Sequence, residues 1–166
     1  KKLEKAVLAY ADVTLTVSES WAESFRLLGS KNVKLITNGF DEKDFNLTKK
    51  NNDKFVIGHF GLLNHLRNPV NLWRTLNDMC RDSPLFEEKL EIRLSGNIDT
   101  QVYDSLNQFR HLKNKISFLG YLTHKEVIKE YNNSSVLLLL LFNSSSGVGN
   151  YPGKIFEYFA SKKPIL

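Results

Sequence analysis

The sequence predicts an α/β fold, a doubly wound parallel sheet of the Rossmann-like type, and three observations carry that prediction. Strand-like and helix-like segments alternate along most of the 166 residues. One run, VLLLLLF at 136–142, is apolar without alternation, as a strand buried on both faces should be. Glycines follow the strand-like segments, at Gly61, Gly96, Gly120 and in a loop holding Gly147, Gly149 and Gly153. In an open parallel sheet such positions lie beyond the carboxyl ends of the strands, where ligands bind.

Each element has its own signal. Residues 3–10 read as the end of a helix and DVTLTVS (12–18) as a strand rich in β-branched residues. Ser20-x-x-Glu23 has capping-box spacing and opens a helix through Leu28, stopped by Gly29. VKLI (33–36) is a second strand, followed by the turn Asn38-Gly39. DEKDFNLTKKNND (41–53) is polar and aperiodic, a linker or loop. The pattern restarts with KFVIGHFG (54–61), a buried strand. Asn68-Pro69 then starts a helix with Val70, Trp73, Leu76, Asn77 and Cys80 on roughly one face. LEIRLSG (90–96) is a strand, 100–109 a helix, and KISFLG (115–120) a strand. Thr123-x-x-Glu126 caps a helix to Tyr131. After the run at 136–142, residues 152–161 form a helix that turns Ile155, Phe159, Phe156 and Ala160 toward the sheet. KPIL (163–166) begins another strand. Residues 1–38 thus read as the last βαβ of a preceding domain with its linker, and 39–166 as a second, incomplete domain.

Composition narrows the function classes. With 42% hydrophobic and 25% charged residues the chain can bury a core. The net charge of +5 favours anionic ligands, but the basic residues are scattered, which argues against nucleic acid as a partner. A single cysteine, Cys80, cannot form an internal disulfide, so a reducing, cytoplasmic setting is expected. The longest apolar run is too short to span a bilayer. His59, His65, His111 and His124 lack metal-ligand spacing, so no metal is expected. No Ser/His/Asp nucleophile arrangement can be assembled either.

The stretch NSSSGVGNYPGK (143–154) points to chemistry. A helix start near Pro152 offers backbone N–H groups and a positive dipole end to an anion. Lys154 adds a full charge there, and Glu157 lies one turn on, on the same face. That rise is close to the span from a nucleotide's phosphates to its ribose, whose hydroxyls a carboxylate can accept from. An ordinary capped helix with an exposed Lys/Glu pair is the plainer alternative. Arg67, in the loop after Gly61, is a second phosphate candidate. The glycine spacing also brushes against a dinucleotide fingerprint, but four polar residues (143–146) separate strand from glycine, and the sequence stops short of the position about 20 on where that fingerprint has its acidic residue.

The order of motifs resembles the retaining GT-B-fold glycosyltransferases of the group 1 type. ADVTLTVSE and LLGSKNVKLITNGFDEKDF are similar to the end of that family's acceptor domain and its interdomain segment. IGHFGLLNHLRNP resembles the first strand and glycine loop of the donor domain, and PGKIFEYFASKKPIL the helix that holds the nucleotide sugar. The resemblance covers almost the whole chain. It implies transfer of a sugar, with retention, from a nucleotide diphosphate sugar, in polysaccharide biosynthesis, with no cofactor beyond that substrate. Arg67 and Lys154 would be catalytic, stabilising the leaving diphosphate. Gly61, Leu62, Gly96, Tyr121, Leu122, Gly147, Val148, Gly149, Asn150 and Glu157 would bind the donor, with Tyr121 and Leu122 meeting the base. The acceptor, a glycan or lipid-linked glycan, is left open, and the partner expected is the remainder of the same chain. In the full-length protein a place at the membrane periphery is compatible with this. The family carries two glutamates eight apart; Glu157 fits the second, and Gly149 stands where the first falls. Two rivals stay open at this stage: a non-catalytic nucleotide-binding module and a nicotinamide-dependent oxidoreductase domain.

Overall fold

A computed structural model of the chain describes residues 2–45, 53–142 and 149–166. These residues fall into two compact units, 2–40 with 149–157, and 41–142 with 158–166. In the first unit α1 (Lys2–Tyr10) is followed by β1 (Thr14–Thr16), α2 (Glu19–Leu27) and β2 (Val33–Leu35). β1 and β2 pair in parallel with Thr14 opposite Val33, so β1, α2 and β2 make one βαβ unit. The cap of α2 differs from the sequence expectation. Ser18, not Ser20, is the N-cap, and its hydroxyl accepts from the Trp21 N–H at 3.4 Å. The chain is still extended at Ser18 (φ −142°, ψ 151°) as it leaves β1, so the helix begins two residues early.

The second unit contains β3 (Phe55–Phe60), α3 (Val70–Asp82), α4 (Pro84–Lys89), β4 (Leu90–Ser95), α5 (Thr100–Asn107), β5 (Ile116–Phe118), α6 (His124–Asn133) and β6 (Val136–Leu137). The strands form one parallel sheet in the order β5-β4-β3-β6. Helix α7 (Lys154–Ser161) contributes its turn through Glu157 to the first unit and the rest to the second. Helix α4 was not anticipated, although Ser83-Pro84 is a start signal. Ser83 Oγ accepts from the Phe86 N–H at 3.3 Å, and Pro84 occupies the first turn. The expected capping box at α6 is present, with the Thr123 N–H donating to Glu126 Oε2 at 2.8 Å.

Of the run at 136–142 only Val136–Leu137 form a strand, at the end of the order β5-β4-β3-β6, with an isolated parallel bridge from Leu137 to Ile165 on its other side. Leu138 N–H donates to the Gly58 carbonyl on one side, while on the other Leu166 N–H donates to the Leu137 carbonyl. Leu137 and Leu138 are buried, yet Leu141 is 52% exposed, so two-sided burial does not reach the end of the run. Consecutive residues feed opposite faces. Leu138, Ile57, Ile92 and Leu94 pack with Trp73, Leu76 and Cys80 of α3 and Val102 and Leu106 of α5. Leu137 and Phe60 pack with Ile128 and Tyr131 of α6 and Tyr158 of α7. Helices therefore cover both faces, and the sheet is doubly wound.

The orientation of α7 corrects another expectation. Tyr158 and Ser161 are buried, whereas Phe159 is 60% exposed. Apolar residues cover more than half of the helix circumference, with Lys154, Glu157 and Ser161 together on one side, so i, i+4 spacing alone does not choose a face. Tertiary contacts choose it: Tyr158 meets Tyr131 edge-on at 5.1 Å, and its hydroxyl donates to the Leu138 carbonyl at 3.5 Å.

Candidate functional site

In the second unit, the carboxyl ends of the strands are laced together by backbone hydrogen bonds. Gly61, after β3, donates its N–H to the Ser95 carbonyl at 2.8 Å. Leu63 donates to the Asn97 carbonyl at 2.9 Å and bridges Ile98 in parallel. Gly96, after β4, donates to the Gly120 carbonyl at 2.9 Å, and Ser95 Oγ donates to the same oxygen at 2.8 Å. Gly96 has φ +107°, and a Cβ there would stand 2.5 Å from the Gly61 carbonyl oxygen. Only glycine allows so close an approach. Gly61, Gly96 and Gly120 thus lie along one edge, with Leu62, Tyr121 and Leu122 beside them in the chain. Tyr121 is 91% exposed there, while Leu122 is tucked against the aromatic cluster.

Arg67 ends a 3-10 turn (His65–Arg67) that follows the β3 loop. Its guanidinium carbon lies 3.8 Å from the centre of the Phe142 ring, and its Nε is buried without a hydrogen-bond partner. The turn is pinned on both sides. His65 N–H donates to Asp99 Oδ2 at 3.3 Å, and Trp73 Nε1 donates to Asn68 Oδ1 at 2.8 Å. Beneath the loop, His59 is 1% exposed; its Nδ1 donates to the Leu138 carbonyl at 2.9 Å. Its Nε2 lies 3.4 Å from the Leu62 carbonyl, so the ring ties the glycine loop to the strand beside it. Neither the Phe142 stack nor the His59 tie was legible from spacing, since both join residues distant in sequence.

In the first unit, Gly149 has φ +79° and lies against the N-terminus of α2. A Cβ there would run into the Ser20 hydroxyl and reach 2.8 Å from Ser18 Oγ. Asn38 Nδ2 donates to the Tyr151 carbonyl at 3.4 Å, which fixes the segment leading into α7. The N–H groups of Ile155 and Phe156 donate to the Pro152 and Gly153 carbonyls, so the helix start closes partly on itself. Lys154 and Glu157 fall in this first turn, both half-buried. Gly147 and Val148 lie outside the described residues. Among the described residues, no group of three or more His, Cys, Asp or Glu is placed to hold a metal ion. No described helix is long and apolar enough to cross a membrane.

A doubly wound parallel sheet with a glycine-laced edge of this kind, preceded by a βαβ unit, is the architecture of the GT-B glycosyltransferases. The chain has that fold. Sucrose-phosphate synthase from Thermosynechococcus elongatus superposes with a TM-score of 0.74 at 18% identity, over 99% of this chain and 42% of that one. S. aureus TarM, solved with UDP, Fondaparinux and alpha-GlcNAc-glycerol, gives 0.68 at 14% identity, over 99% and 32%. The pneumococcal O-GlcNAc transferase GtfA, solved with UDP and GlcNAc, gives 0.65 at 10% identity, over 99% and 32%. The chain therefore spans less than half the length of these structures. No protein-family model matches the chain, and no curated protein matches it.

Proposed function

We propose that this chain carries the donor-holding part of a retaining glycosyltransferase that uses a nucleotide diphosphate sugar. The observation behind the proposal is the laced glycine edge of the sheet, where Arg67 carries a guanidinium that has no hydrogen bond or ion pair among the described residues. Backbone brought that close leaves room for a nucleotide, and an arginine without an anion suits a diphosphate. Arg67 and Lys154 neutralise charge as the diphosphate leaves, which is the main electrostatic demand of the reaction. Glu157 accepts from the ribose hydroxyls, and the backbone at Tyr121 and Leu122 meets the base. Gly61, Leu62 and Gly96 bind the donor, and the backbone N–H groups of Gly147, Val148, Gly149 and Asn150 serve the sugar and diphosphate. No metal ion or cofactor takes part in this reading. Residues 1–38 then end the acceptor domain and 39–166 belong to an incomplete donor domain; the acceptor, of the class of glycans or lipid-linked glycans, is held by other parts of the protein. A cytoplasmic enzyme of polysaccharide biosynthesis, working at the membrane periphery, would use such a part.

One observation favours a second reading, a nucleotide-binding module without catalysis. Gly149 stands where the family's first glutamate falls, and its φ and the Ser18 and Ser20 hydroxyls leave no space for a side chain. The test is a titration of wild type, Glu157→Ala and Lys154→Ala with UDP, GDP and uridine. Glu157→Ala should weaken all three, by roughly 1.5–3 kcal/mol for each charge-assisted hydrogen bond lost. Lys154→Ala should weaken the diphosphates and spare uridine. If Glu157→Ala changes nothing, the donor-site reading fails. Diphosphate binding by a full-length protein that neither transfers nor hydrolyses any sugar nucleotide would favour the module.

A further inference from the structure

We infer that Phe142 is a positioning residue for Arg67, holding its guanidinium face-on so that its edge is presented to an anionic ligand; this rests on the donor-site reading above. Both residues belong to the second unit. Arg67 follows β3, and Phe142 lies past the end of β6, the strand paired to β3, so the sheet brings the two together. The guanidinium carbon is 3.8 Å from the ring centre, within the range of a cation–π contact.

The stack has a chemical consequence. A guanidinium donates hydrogen bonds only in its own plane. A ring covering its face removes none of those donors but fixes the plane in which they point. Burial of Nε without a partner limits rotation further, because that end of the group is sealed. The terminal nitrogens are then the donors left for recognition, and two of them side by side match two oxygens of a phosphate. Among the described residues no carboxylate pairs with Arg67, whereas Arg81 and Arg93 of the same unit are both ion-paired. A phenylalanine orients such a cation without neutralising it, which a carboxylate could not do. Diphosphate affinity would thus depend on a residue that need not touch the ligand.

The experiment is a calorimetric titration of wild type, Arg67→Ala, Phe142→Leu and Phe142→Tyr with UDP and with uridine. Leucine keeps an apolar side chain and removes the ring; tyrosine keeps the ring. Phe142→Leu should bind UDP roughly 3- to 10-fold more weakly, as loss of a partly desolvated cation–π contact implies. Phe142→Tyr should stay within about 2-fold of wild type by the same measure. Uridine affinity should be unchanged in both, because the effect acts through phosphate. The Arg67 Hε resonance supplies a second readout, shifted by the ring in wild type and Phe142→Tyr and released in Phe142→Leu. If wild type binds UDP and Phe142→Leu binds it equally well, the inference is overturned while the donor site stands. Equal weakening for UDP and uridine would show a merely structural role and also overturn it. If wild type binds no diphosphate, the donor-site reading falls and the inference with it.

Discussion

Replacing Gly96 by alanine tests how the candidate edge is built, because it adds one methyl group at the closest approach of two loops. Two costs follow from the geometry. At φ +107° an L-residue is strained by roughly 1–3 kcal/mol. The new Cβ would also stand 2.5 Å from the Gly61 carbonyl oxygen and 2.8 Å from its carbon. Those are backbone atoms and cannot rotate away, so the Gly61 loop must shift, with overpacking adding about 1–3 kcal/mol. The expected total is about 2–6 kcal/mol. Gly120→Ala is the internal control, since its φ is +67° but nothing lies within 4 Å of its Cβ. It should cost only the left-handed strain, about 1–2 kcal/mol. Urea denaturation followed by circular dichroism measures both. Titration with UDP then reports whether the displaced loop reduces affinity in Gly96→Ala more than in Gly120→Ala. Equal stability of the two variants, or a Gly96→Ala protein as stable as wild type, would refute the close approach of the loops.

Three further outcomes are expected. Trp73 is fully buried and its Nε1 donates to Asn68 Oδ1 at 2.8 Å, so Trp73→Phe should destabilise by about 2–4 kcal/mol in urea titrations. The Thr123 hydroxyl and N–H, aided by Lys129, hold the Glu126 carboxyl below its ordinary 4.5. A lowered native value stabilises the fold above the unfolded value and loses that contribution as pH falls through the native one. Glu126→Gln should therefore flatten the fall in melting temperature just below pH 4.5, and an unchanged acid limb would contradict the capping box. Burial, with a smaller push from Glu87, raises the Cys80 thiol above its ordinary value. Iodoacetamide should therefore label it slowly in the native protein and readily in urea; fast native labelling would place Cys80 outside the core.

Much of the fold was legible because its signals are local. Thr123-x-x-Glu126 predicts the start of α6, and it holds; the unalternating run at 136–142 predicts a strand buried on both faces, of which only Val136–Leu137 form regular strand. Where expectation failed, the competing signals were equal in sequence and were separated by tertiary structure. Ser18 and Ser20 both suit an N-cap, and the extended chain leaving β1 selects Ser18. Four apolar positions of α7 have suitable spacing, yet the stack on Tyr131 selects Tyr158. The glycines of the candidate edge could be read from their places after strands. The features that would orient a ligand could not, because Phe142 with Arg67, and His59 with Leu138, meet only once the sheet has formed.

The central claim is that this chain holds a nucleoside diphosphate rather than a dinucleotide. Isothermal calorimetry of the chain with UDP, GDP and NAD addresses it most directly. At least one diphosphate should bind more tightly than about 1 mM, and NAD more weakly than that diphosphate. Neither diphosphate binding at that level, or NAD binding better than both, would contradict the account.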